Sequence, residues 1–248
     1  MIRRTLLLAL PLLATLAAAE PVTLTASDGV KVYGEFWPAA DAKAPLILAF
    51  HQAGSSHAEY IPLAPRLNRA GFNVLAIDQR SGGNEFGGKN RTVAALGRST
   101  SYDAAFGDLE AALAWGKDMA KGAPVVVWGS SYSAALVFKL AARYPMDVAG
   151  LLAFSPGEYL SAPNAVAKAA ETLHLPVFID QASGDGETQQ SRGIFQATAS
   201  SDKTQFVPRR GVHGSATLRS DRNPAGAEEN WAAVLAFLAK FQRASDLR

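Results

Sequence analysis

The chain has 248 residues, with 24 Lys and Arg against 22 Asp and Glu and no cysteine. This composition excludes a disulfide framework, a cysteine nucleophile and an N-terminal lipid-bearing cysteine. Its basic excess is only two charges and it has no run of like charge for nucleic acid or anionic lipid.

The first segment, Met1-Ile2-Arg3-Arg4 followed by apolar Leu6 to Leu16 and then Ala17-Ala18-Ala19, has the basic, apolar and small-residue order of a secretory signal peptide. Cleavage is expected after Ala19. The apolar stretch contains Pro11 and falls short of the ~20 residues that a membrane span needs. Loss of residues 1–19 removes only Arg3 and Arg4 from the charged set, so the 22 remaining basic residues balance the 22 acidic ones. Residues 20–248, free of linkers, repeats and low-complexity tracts, are expected to form one domain of a soluble periplasmic or secreted protein with no stable membrane anchor. Its oligomeric state is open.

Val22 to Ala26 and Val30 to Trp37 alternate apolar and polar residues around Ser27-Asp28-Gly29, which predicts an antiparallel hairpin. Short apolar runs follow at 45–50, 72–77, 124–128, 148–154, 176–179 and 204–207, separated by helical patterns near 58–70, 103–119, 132–143, 163–173, 187–199 and 226–243. Strands apolar on both faces that alternate with helices predict an α/β fold, a mainly parallel sheet flanked by helices behind the N-terminal hairpin. Reactive groups then belong at the carboxyl ends of the strands.

Polar residues stand at those ends. The run at 124–128 turns into a helix through Gly129-Ser130-Ser131-Tyr132-Ser133, a G-x-S-x-G pattern with serine in the last place, which puts Ser131 at the tip of a strained turn. Hydroxyls that merely cap a helix are the alternative for this pentapeptide alone. Other strand ends carry His51-Gln52-Ala53-Gly54, Asp78-Gln79-Arg80-Ser81-Gly82, Asp185 in Ala182-Ser183-Gly184-Asp185-Gly186, and His213 in Gly211-Val212-His213-Gly214.

In this order of motifs the chain resembles the α/β-hydrolase superfamily over nearly all of residues 20–248. The small size and the minimal cap between Ser155 and Asp185 look most like the simple-esterase and dienelactone-hydrolase-like branches. The dienelactone enzymes use cysteine, so their substrate does not carry over to this serine. The resemblance implies Ser131 as nucleophile, His213 as base and Asp185 as the acid that orients it. It implies an oxyanion hole made by the backbone N–H of Tyr132 and of Ala53 or Gln52. Asp180 and Glu187 compete for the acid's place; Asp180 is expected to end its strand too early and Glu187 to serve the dipole of the next helix. His51 is expected to order the oxyanion loop, and His57 and His174 to be structural.

The expected function is hydrolysis of carboxylic esters, with small soluble esters as substrates and neither cofactor nor metal. The same residues would serve a peptidase, an amidase or an acyltransferase, and the fold alone would serve a noncatalytic binding protein. Gly83 to Asn90 spells G-x-x-x-x-G-K but lacks the hydroxyl and the strand context of a P-loop. It is expected to be a flexible loop, 82–99, beside the site, where Lys89, Arg91 or Arg98 could meet an acidic substrate group.

Overall fold

The computed structural model describes residues 18–242. The signal peptide expected over 1–19 lies outside the described residues except for its last two positions. Strands β1 (Glu20–Thr25) and β2 (Lys31–Trp37) form the expected hairpin, with Thr25 opposite Lys31 beside the Ser27-Asp28-Gly29 turn. The remaining strands are β3 (Leu46–Phe50), β4 (Asn73–Ile77), β5 (Val125–Ser130), β6 (Gly150–Phe154), β7 (Val177–Asp180) and β8 (Lys203–Phe206). They form one sheet in the order β1-β2-β4-β3-β5-β6-β7-β8, antiparallel across β1-β2-β4 and parallel from β4 to β8.

The α-helices are α1 (Ala64–Arg69), α2 (Arg91–Leu96), α3 (Phe106–Ala120), α4 (Tyr132–Arg143), α5 (Ala165–Ala170), α6 (Asp185–Ala197) and α7 (Ala227–Gln242). Successive residues of a strand point to opposite faces, and both faces of this sheet are covered. Leu46, Leu48, Val125, Val127, Leu151 and Ile179 pack with Leu109 and Leu113 of α3 and Leu136 and Leu140 of α4. Ile47, Val74, Val126, Trp128, Leu152 and Phe178 pack with Leu67 of α1 and Trp231, Val234 and Phe237 of α7. That two-sided burial is why the central strands read as continuous apolar runs.

The segment read as a flexible loop contains α2, whose N-cap is Asn90: its side-chain oxygen accepts from Val93 N–H at 2.8 Å. Arg91 is engaged by Asp78 at 3.2 Å and Glu35 at 3.0 Å. A guanidinium bound to two carboxylates is committed to holding α2 against the sheet.

Candidate active site

The turn between β5 and α4 brings Ser131 to a backbone conformation of φ 57° and ψ −121°. A positive φ on a residue with a Cβ is strained, and here the surroundings fix it. Ser131 N–H donates to Phe154 O at 2.8 Å, and Ser131 O accepts from Ala134 N–H at 2.8 Å. Gly129 has to be glycine because a Cβ there would lie 2.3 Å from Ser133 O, where α4 folds back on its strand. Ser133, the departure from the usual glycine, is fully buried and donates its hydroxyl to His51 O at 2.6 Å while accepting from Gln79 Nε2 at 2.6 Å. It ties the turn to the loop after β3.

His213 follows β8 and leads into a short 3₁₀ segment, Gly214–Leu218. Its Nε2 lies 2.8 Å from Ser131 Oγ and its Nδ1 lies 2.7 Å from Glu187 Oε1. With a carboxylate on Nδ1, that nitrogen carries the proton and Nε2 is free to accept from the serine hydroxyl. The loop is held by Gly214 N–H on Ser155 Oγ and Ser215 N–H on Ser130 Oγ, each at 2.9 Å.

Asp185, expected as the acid, does not meet the ring of His213. Asp185 is exposed at the first position of α6, and the ring of His213 meets Glu187 instead. Two residues along a helix turn the side chain by roughly 200°, so Asp185 faces solvent when Glu187 faces the β7 and β8 loops. Asp180 ends β7 fully buried, with no partner for either carboxylate oxygen among the described residues. Burial pushes its carboxyl well above the usual carboxylate range.

The charges agree with this geometry. Burial pushes the Glu187 carboxyl up, but hydrogen bonds from His213, Ser155 and Ala182 N–H, with the charge of His213, prevail and hold it at about 2. The bond to Glu187 raises His213 above its ordinary 6.5 against the effect of burial, aided by the charges of Glu187 and Glu59. A serine held this way can pass its proton to imidazole as it attacks an electrophilic carbon, and the carboxylate balances the imidazolium.

The two candidate donors in the loop after β3 differ. Gln52 N–H is taken by Glu59 Oε2 at 2.8 Å, so it cannot serve an oxyanion, whereas Ala53 N–H has no acceptor among the described residues. Tyr132 opens α4, where the first N–H groups lack intrahelical partners. Its ring is buried, stacked on Tyr102 with centroids 4.3 Å apart, and its hydroxyl accepts from Ser81 Oγ–H at 2.7 Å. His51 orders the loop as expected: its Nδ1–H donates to Gln52 O at 2.7 Å, and its Nε2 accepts from Gln79 N–H at 2.9 Å. Burial depresses its pKa to about 4, consistent with a neutral ring. Arg80 of the D-x-R-G-like turn is buried against Asp108 at 2.7 Å, a structural tie.

A cavity of about 450 Å³ opens beside His213, lined by Gln52, Glu85, Phe86, Val212, Ala216 and Arg222. Gln52 Nε2 donates to Glu85 at 3.1 Å there, and the guanidinium of Arg222 lies 5.1 Å from the centroid of the Phe86 ring. Among the described residues no group of three or more His, Asp or Glu side chains is arranged to hold a metal ion.

Glu187 is the residue that sequence reasoning passed over. Its spacing after β7 suited the acid as well as Asp185 did; only the start of α6 at Asp185 distinguishes them. Glu59, buried behind the serine turn, carried no motif signal at all.

The family model Hydrolase_4, described as serine aminopeptidase, S33, matches residues 41–172, which span β3 to the end of α5 and include Ser131 but neither Glu187 nor His213. Among solved structures the chain is similar to an esterase from Pyrococcus furiosus, at 18% identity over 91% of each chain and a TM-score of 0.67. It is similar to a cold-adapted esterase from an Arctic intertidal metagenomic library, at 20% identity over 90% of this chain and 94% of that one, TM-score 0.68. It is also similar to dienelactone hydrolase from Anabaena variabilis, at 16% identity over 91% and 98%, TM-score 0.69. At these identities the likeness shows the α/β-hydrolase fold. No curated protein matches the sequence.

Proposed function

This chain belongs to the Hydrolase_4 family, serine aminopeptidase S33, of the α/β-hydrolase superfamily, and on that premise we propose that it is a serine hydrolase cleaving small carboxylic esters. The observation that carries the reading is the unbroken chain from Ser131 Oγ through both nitrogens of His213 to Glu187, at 2.8 and 2.7 Å. Ser131 attacks the ester carbonyl carbon as its proton passes to His213 Nε2. The tetrahedral intermediate's oxygen takes hydrogen bonds from Tyr132 N–H and Ala53 N–H. His213 then gives its proton to the departing alcohol, leaving an acyl group on Ser131. Water, deprotonated by the same imidazole, releases the acid and restores the hydroxyl.

Ester over amide is favoured by the esterase neighbours and by the small cover over the site. Between β6 and β7 the only helix among the described residues is the six-residue α5. The family description favours the second reading, cleavage of a short peptide by the same residues. From the N-terminal segment we infer export, with residues 1–19 removed and the protein periplasmic or secreted; an intact mass of the exported form beginning at Glu20 tests that.

The decisive experiment is labelling of the purified protein by a fluorophosphonate, mapped by mass spectrometry, with Ser131→Ala as control. Adduct on Ser131 that disappears in the variant supports the reading. Its absence from a folded protein refutes it. Rates on p-nitrophenyl acetate and on aminoacyl p-nitroanilides then decide between ester and amide.

A further inference from the structure

A buried carboxylate stands directly behind the reacting groups. Glu59, the last residue of the 3₁₀ turn His57–Glu59, is fully buried. Its Oε2 accepts from Gln52 N–H at 2.8 Å and its Oε1 from the Ser130 hydroxyl at 2.7 Å. Ser130 Oγ accepts in turn from Ser215 N–H at 2.9 Å. Gln52 precedes Ala53, Ser130 precedes Ser131, and Ser215 lies two residues after His213. One side chain therefore links the segments that carry the oxyanion donor, the nucleophile and the base.

Burying a carboxylate is costly unless its lone pairs are used and its charge is balanced. Arg219 does not bond the Glu59 carboxylate; its Nη1 donates to the carbonyl oxygens of Ala58 and Glu59, both at 3.2 Å, and its other nitrogens bind Asp221. The charged and titratable groups facing Glu59 are Arg219, His213 and the adjacent Tyr60. Burial raises the Glu59 carboxyl to about 7, against its hydrogen bonds with Ser130 and Gln52 and the charges of Arg219 and His213. The coupling is mutual, since the Glu59 charge favours the protonated form of His213.

We propose that Glu59 is a positioning residue of the reaction at Ser131, locking the three segments in register through Gln52 N–H, Ser130 and Ser215 and supporting the His213 imidazolium with its charge. The proposal rests on the serine-hydrolase reading. It separates two effects: the hydrogen bonds set the rate through geometry, and the charge sets the pH at which His213 is a base.

The test is kcat, KM and the pH profile of kcat/KM on p-nitrophenyl acetate, for wild type, Glu59→Gln, Glu59→Asp and Ser130→Ala. Glutamine replaces one of the two accepting oxygens by a donor, so that one of the two bonds is lost and kcat is expected to fall by about tenfold to a hundredfold, with KM within about twofold. In wild type the acid limb belongs to His213 and Glu59 together; in Glu59→Gln it belongs to His213 alone and moves to lower pH. Glu59→Asp keeps the charge and with it the limb. Ser130→Ala cuts the same link while leaving the Glu59 side chain in place, so kcat falls by about tenfold; it also serves if Glu59→Gln does not fold. Wild-type kcat and an unmoved limb in Glu59→Gln, or wild-type kcat in Ser130→Ala, overturn the proposal while a fluorophosphonate-reactive wild type leaves the serine-hydrolase reading intact. A wild type that neither labels nor turns over substrate overturns both.

Discussion

His213 donates through Nδ1 to Glu187 at 2.7 Å, and Asp185, two positions earlier, faces solvent from the first turn of α6. The two carboxylates therefore make opposite predictions. Glu187→Gln keeps the shape but presents a neutral amide to the ring, removing the charge that orients and balances it. Its kcat is expected to fall by roughly a thousandfold or more, as for loss of the acid in comparable triads. Asp185→Asn is expected to stay within about twofold, as a surface change away from the reacting groups. Ester hydrolysis by the two variants decides the matter, and equal losses would sink the assignment.

The same pair sets a pH window. Glu187 raises His213 above 6.5, so the neutral ring that can act as base appears only as the pH passes that raised value. The acid limb of kcat/KM is accordingly expected above 6.5, and in Glu187→Gln, on its residual activity, below the wild-type position. Stability follows with the signs reversed for the two partners. The His213 contribution is full below 6.5 and fades as pH rises through the folded value. The Glu187 contribution is full above 4.5 and fades as pH falls toward 2. The Tm deficit of His213→Ala is therefore expected to be largest between about 4.5 and 6.5 and to narrow on either side. A deficit independent of pH would show that the pair adds nothing to stability.

The sheet was legible because its signal is local. Apolar runs such as Val125 to Trp128, each bounded by a turn or helix, carry their own signal, and Gly129 and Ser131 mark the turn that follows. The carboxylate that meets His213 was not legible because Asp185 and Glu187 occupy one loop-to-helix junction, and which of them faces inward depends on where α6 begins, a boundary set by tertiary packing. Gln52 N–H could not be removed from the oxyanion candidates without knowing that Glu59 takes it. Nor does anything local announce Glu59, whose partners in the sheet lie 71 residues away at Ser130. Helix α2 was hidden because the glycines before it dominate the composition of the segment, although Asn90 was a usable cap signal.

Ser133 stands where the serine-turn motif usually has glycine, and restoring glycine is expected to weaken the protein. The hydroxyl joins His51 O and Gln79 Nε2, both at 2.6 Å, in a fully buried position. Ser133→Gly strands His51 O and adds backbone freedom to the first turn of α4. A loss of about 1–3 kcal/mol is expected for the stranded buried group, measured by urea unfolding at pH 7. Unchanged or increased stability would mean that the serine merely fills the glycine's place.

Asp180 offers a prediction of the opposite sign. It ends β7 between Phe154 and Phe206 of the neighbouring strands, fully buried, and neither of its oxygens has a partner among the described residues. Burial raises its folded pKa well above 3.8, so the folded chain holds a proton that the unfolded chain releases as soon as the pH exceeds 3.8. More protons bound in the folded state means that stability falls as pH rises through that range. Asp180→Asn is nearly isosteric and cannot ionise, which removes this slope. Its Tm is expected to exceed that of wild type at pH 8, with the difference shrinking toward zero below about pH 3, where both side chains are neutral in both states. Thermal melts across that range check it, and an asparagine variant no more stable than wild type at pH 8 would show that the carboxyl is satisfied after all.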